Sequence, residues 1–302
     1  MNRLQSVVRR PMSASIGLVM GGALWGLIWL PLRALGAFGL DGAWPGIMIY
    51  GATALLLLPL AWVRRHSILK HWQGLALCGF FAGMAFSLYT TSLMFTEVVR
   101  AILLFYLTPV WATAMGIALL GERMTLERAL ALVLGLVGLL VVLGTGGGIP
   151  WPRNIGDWMA LMSGLAWAYG SLQLYKLGST VPVPEQVVAF IFGSLTVTLL
   201  TLVVGGAAMG QPVSFGQFLE ATPWSLLIAV YVIPMLFLTI WPATLLSPGR
   251  VGILLMSEVL IGVVSAALWS GEPFGWREGI GSLLIVGAGF VEVMGHRTPK
   301  PI

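Results

Sequence analysis

The chain is a succession of long apolar runs separated by short polar breaks. Ten runs approach the ~20 residues an α-helix needs to cross the hydrocarbon core of a bilayer. They lie at 15–35, 44–63, 72–94, 98–120, 126–144, 156–177, 185–205, 223–246, 250–270 and 276–294. The breaks are marked by charge, glycine and proline: Arg64-Arg65-His66 to His71, Glu122 to Arg128, Thr145 to Asp157, Thr180 to Glu185, Gln211 to Glu220, and Glu272 to Glu278. Between the third and fourth runs the break shrinks to Phe95 to Glu97. No run alternates apolar and polar residues with period two, which excludes a transmembrane barrel. The pattern predicts an all-α membrane protein of ten transmembrane helices.

The fourth and ninth runs carry one motif written twice. Arg100 is followed by an apolar run and Gly121-Glu122, and Arg250 by an apolar run and Gly271-Glu272, 150 residues further on in each case. The repeat divides the chain into five-helix halves, 1–150 and 151–302. An odd number of spans per half inserts the second copy upside down. Two inverted five-helix repeats facing one another are an arrangement that carriers use to expose a shared site to alternate sides.

Composition makes lipid the outer solvent. Of 302 residues 58% are hydrophobic and 9% charged, against roughly 25% charged in soluble domains. That is too little charge to coat a core with a water-facing surface. The net charge of +5 does not point to nucleic acid, because the basic residues are spread among loops rather than gathered on one face. With the N-terminus inside, inside segments hold 12 of the 16 Lys and Arg, leaving Arg33, Arg100, Arg153 and Arg277 outside. The bias predicts cytoplasmic termini in a bacterial inner (plasma) membrane. Arg9-Arg10 before an apolar run also fits a cleavable export signal. The run from Ile16 to Leu32 is long for such a signal and no Ala-x-Ala site follows closely, so a retained first span is expected.

Chemistry is sparse, which makes the exceptions informative. Pro109 has no N–H, so the Phe105 carbonyl one turn back loses its helical partner. A freed carbonyl at that depth is tolerated where it lines a polar cavity or meets a side chain, and Tyr106 and Thr108 stand beside it. A bend made only for packing is the alternative, and Pro234 and Pro242 invite the same two readings. Trp25, Tyr89, Tyr106, Trp111, Trp167 and Tyr231 fall deep within spans. They either pack or line a central cavity suited to amphipathic or aromatic solutes.

Glu258 is the carboxylate farthest inside a run, eight residues after Arg250 and thus roughly 12 Å along the helix. A charge at that depth costs at least ~2.5 kcal/mol. The carboxyl is therefore expected to be paired, hydrated by a cavity or protonated. It is a proton or cation site, or a hydrogen-bonded structural group. Arg100 and Arg250 read as snorkelling anchors. Gly121-Glu122 and Gly271-Glu272 suit left-handed helix caps, and Gly17/Gly21, Gly22/Gly26 and Gly79/Gly83 suit close helix contact.

Other function classes find little support. His66, His71 and His296 fall in breaks or the tail, Asp41 and Asp157 near span ends, and no hydrolytic constellation assembles. No GxxxxGK[ST] is present to hold a nucleotide. Cys78 stands alone, excluding an intrachain disulfide or a CxxC site. An enzyme is not expected, and no cofactor or metal is called for. A channel or a non-transporting receptor stays open as an alternative.

Several motifs together carry a family resemblance. Tyr106-Leu107-Thr108-Pro109 before Gly121-Glu122, Ser257-Glu258-Val259 before Gly271-Glu272-Pro273, and the Trp-bearing segments Leu24-Trp25-Gly26 and Ala166-Trp167-Ala168-Tyr169 resemble the drug/metabolite transporter (DMT) superfamily. The likeness is to its ten-helix EamA-type branch, in particular amino-acid exporters of the YddG kind, and spans essentially the whole chain. Many relatives have Glu-Pro where this chain has Glu258-Val259, so the resemblance alone does not secure a kink there. The resemblance implies an exporter of amino acids, aromatic ones included, or of drugs or similar metabolites, working by alternating access as a monomer or weak oligomer. It favours Tyr106 and Trp167 as substrate-facing residues, with proton coupling open at Glu258.

Overall fold

The computed structural model describes residues 2–120, 124–143, 152–178, 180–246, 251–252, 254–271 and 274–295. Arg250, Gly121-Glu122 and Glu272 lie outside these. The described residues form an all-α protein, and six helices are long and apolar enough to cross a membrane.

The first expected span is broken. Helix α1 (Asn2–Trp25) gives way to a turn at 26–28, and α2 (Trp29–Gly36) completes the crossing. Helices α3 (Trp44–Lys70) and α4 (Trp72–Phe95) meet at His71 alone. The fourth span is again two pieces, α5 (Val98–Phe105) and α6 (Thr108–Leu120), followed by α7 (Leu126–Leu143). The second half runs through α8 (Ile155–Leu177), α9 (Val183–Gly205) and α10 (Phe215–Ala243). The ninth span turns at Leu255-Met256 before α11 (Ser257–Trp269), and α12 (Trp276–Gly295) ends the bundle.

Two expected breaks fall elsewhere. The basic cluster Arg64-Arg65-His66 does not end α3, which runs on to Lys70. The cluster contains no glycine or proline, and basic residues suit the electronegative last turns of a helix. Helix α10 starts well before residue 223, because Ser214 and Gln217 form a reciprocal capping box at its N-terminus. The same helix runs on through Pro223, Pro234 and Pro242.

Lipid removes the hydrophobic drive between helices, so close van der Waals packing at small residues must hold them together. The glycine pairs do this. A Cβ at Gly79 would lie 2.4 Å from the Ala189 carbonyl oxygen, and one at Gly193 only 1.9 Å from that of Gly79, so α4 and α9 touch backbone to backbone. Gly17 and Gly21 face Leu238, Thr239 and Trp241 of α10, while Gly22 and Gly26 face the start of α11. Gly271 has φ +69°, the left-handed conformation foreseen for it.

Most contacts cross between the halves. Helix α4 packs on α8 and α9, α1 on α10 and α11, α5 and α6 on α8, α3 on α9 and α10, and α7 on α12.

Candidate functional site

Three helix breaks converge in the middle of the bundle. A Cβ on Gly26, in the first break, would meet the Glu258 carbonyl oxygen at 2.7 Å and the Gly262 nitrogen at 2.8 Å. From the second break, the Tyr106 hydroxyl, with one proton to give, lies 2.5 Å from the Leu255 carbonyl oxygen and 2.9 Å from Glu258 Oε2. The third break, at Leu255-Met256, sets Glu258 in the first turn of α11. This break forms without proline, because the Glu258 N–H bonds back to Leu255 and the Tyr106 hydroxyl takes the same carbonyl.

Glu258 is buried (1% exposed). Among the described residues, its Oε1 has no partner in hydrogen-bond geometry. Tyr89 lies within reach of the carboxyl, and Tyr231 is near enough to feel its charge. The Tyr231 hydroxyl donates to the Leu24 carbonyl, beside the first break. Four of the residues singled out in the sequence, Tyr89, Tyr106, Tyr231 and Glu258, thus share one polar centre.

The deep tryptophans belong to an adjoining aromatic cluster. Phe86 is its hub, 4.2 Å from Trp25, 5.0 Å from Trp167 and 5.1 Å from Phe190 between ring centroids. Phe105 links it onward to Tyr89 at 4.8 Å and Tyr106 at 5.2 Å. Trp25 also donates its indole N–H to Thr239 at 2.9 Å. A void of about 10 Å³ lies beside Trp25, Tyr50 and Thr90, the space of roughly one water.

Other expected residues take more local places. Thr108 donates to the Phe105 carbonyl at 2.7 Å, the group that Pro109 leaves without a helical donor. The backbone break falls at Tyr106-Leu107, just before that proline. Trp111 is half-buried, with its indole N–H buried and lacking an acceptor. Pro234 sits with an exposed ring in α10.

Charges left outside the expected site tie the halves together. Arg100 is buried and does not snorkel; its Nη2 reaches Asp157 Oδ2 at 2.5 Å. Asp157 also accepts from Thr96 at 2.7 Å and from the Arg153 N–H at 2.9 Å. At the same end, the Gln211 N–H donates to Asp41 at 3.0 Å and the Ala43 N–H to the Met209 carbonyl at 2.8 Å. The opposite end is looser. Arg64 approaches Glu185 Oε1 at 3.7 Å, and neither oxygen of that fully buried carboxyl accepts a hydrogen bond. Nothing in the spacing foretold these partners. The signal for Asp157 was its place three residues after Asn154, whose side chain caps α8 by accepting the Asp157 N–H.

The broken helices meet at a buried carboxyl in an apolar, membrane-spanning bundle, and comparison with known proteins finds likenesses to transporters. Residues 12–144 match the EamA-like transporter family. The match lies in the first half of the chain, where a domain similar to that transporter family's is present. Over 277 residues it is 24% identical to an uncharacterized transporter, YvbV, of Bacillus subtilis (strain 168), the match covering 87% of this chain and 86% of that one. A protein of known crystal structure aligns with a TM-score of 0.62 at 18% identity, covering 95% of this chain and 98% of its own. That likeness speaks for the fold alone.

Proposed function

We propose that the protein exports amino acids, aromatic ones included, or similar small metabolites, across a bacterial inner membrane by alternating access. The observation that carries this reading is the Glu258 carboxyl, buried where three broken helices meet, with one oxygen beside the Tyr106 hydroxyl and the other unpartnered among the described residues. An unpartnered buried acceptor asks for a donor. A substrate ammonium group or a coupling proton supplies one. The neighbouring rings of Trp25, Tyr89, Tyr106 and Trp167 offer the apolar and aromatic surface that an amphipathic solute needs.

Alternating access draws support from the packing. Exchanging the first five spans with the last five turns α4 on α8 into α10 on α1, and α1 on α11 into α8 on α5 and α6, and both members of each exchange occur. This is the expectation for two inverted repeats. The end expected to face outward is tied by Arg100–Asp157, while the ion pair between described residues at the other end, Arg64–Glu185, is longer. Flux of a labelled amino-acid panel into proteoliposomes, with and without a proton gradient, tests the proposal. Saturable uptake competed by unlabelled substrate is expected. Linear, uncompeted flux of every solute would favour a pore.

A further inference from the structure

Away from the centre, α3, α4 and α9 enclose a groove of about 590 Å³ that opens sideways. Its wall is built from helical stripes: residues 72, 75, 76, 79 and 80 of α4, and 188, 189, 192, 193 and 196 of α9. The backbone contact at Gly79 and Gly193 forms its floor. From residue 188 to 196 the α9 wall extends roughly 12 Å along the helix. The lining is apolar apart from Arg65 and Thr196, and the Thr196 hydroxyl is already given to the Phe192 carbonyl. Arg65 stands at one end, exposed, stacked 4.6 Å over the Trp62 ring and donating to the Trp62 carbonyl. The contacts with Trp62 restrain the guanidinium of this groove-lining residue. Lys70 follows in the same helix end, and exposed Trp72 flanks the mouth.

We infer that this groove is a binding site for one anionic phospholipid, with an acyl chain along α4 and α9 and the headgroup phosphate on Arg65. A slot with a long dry wall and one cationic end matches a ligand with an apolar tail and an anionic head. Arginine pairs with phosphate through two parallel N–H donors, and basic pockets between helices at a membrane face select anionic headgroups. Arg64 is drawn toward Glu185, which leaves Arg65 as the cation lining the groove.

Native mass spectrometry of the delipidated, full-length protein tests this, by titration with phosphatidylglycerol or phosphatidylcholine of identical chains. The wild type should bind one phosphatidylglycerol about fivefold more tightly than phosphatidylcholine, the scale of one basic contact at a membrane surface. Arg65→Gln should reduce that preference to none. Ala76→Phe, which fills the groove, should weaken both lipids. Both side chains are exposed, so both variants should melt within a few degrees of wild type. Equal binding of the two lipids by the wild type would overturn the assignment, as would an undiminished preference in Arg65→Gln. Unchanged lipid binding in Ala76→Phe would detach the lipid from the groove and overturn it too. A concentration-dependent dimer that forms without lipid and is lost in Ala76→Phe would give the groove to a second copy of the chain instead.

Discussion

Glu258 and Trp167 are both almost fully buried, yet they should respond to substitution in opposite ways. Glu258→Gln keeps shape and still accepts from Tyr106, so folding should survive while transport falls and its dependence on pH flattens. Tyr106→Phe should act alike, removing the hydroxyl that lies against both Oε2 and the Leu255 carbonyl. Flux in proteoliposomes from about pH 5 to about pH 8, the range a buried carboxyl can reach, checks both; wild-type profiles would leave the pair as architecture. Trp167→Ala instead empties a packed position beside Phe86 and should cost roughly 3–5 kcal/mol of stability, seen as lower thermal resistance in detergent. Glu258 was legible because a carboxyl in an apolar run stands out against its surroundings. Phe86 was not, because a phenylalanine in a lipid-spanning helix looks the same whether it faces lipid or anchors an aromatic cluster. Arg100 was misread for a related reason: its partner lies 57 residues away, and no local pattern announces so distant a pairing.

At the level of helices, the three central breaks differ in how plainly they were written. Pro109 marks one by removing a backbone donor. The break at Leu255-Met256 has Val259 where a proline would be expected, and long-range bonding from Tyr106 supports it. The turn at 26–28 was hidden inside one uninterrupted apolar run, since hydropathy records the length of a crossing and not its continuity. Helix lengths show the converse error. Arg64-Arg65-His66 ends the apolar run without ending α3, because charge ends a membrane span while only lost backbone bonding ends a helix. The glycine contacts were read correctly as packing, and they set a strong expectation. Gly193→Leu would drive a side chain into the Gly79 carbonyl, whose oxygen lies 1.9 Å from an ideal Cβ. Separating α4 from α9 should greatly reduce the yield of monodisperse protein on size-exclusion chromatography; wild-type yield would show that the two helices need not touch.

For the whole molecule, the bias of basic residues and the ten-span reading require the Lys70 and Gly147 loops to face opposite sides. Reporter fusions at these two loops should give opposite signals, and matching signals would remove the inverted arrangement. The repeated motif sets the expected division at residue 150.

The unequal ties at the two ends bear on the direction of net flow. Removing one partner from a buried ion pair typically costs roughly 3–5 kcal/mol, and opening the end expected to face outward would oblige Arg100 and Asp157 to separate or to hydrate. An empty carrier would then rest shut toward the outside. After releasing its load it would snap closed before a solute could return, working as a check valve. Asp157→Asn leaves Arg100 with a weaker partner and should raise back-flux of external substrate while outward transport continues. Counterflow measured from each side of oriented vesicles reads that asymmetry directly, and an unchanged ratio of the two would assign the pair to folding alone.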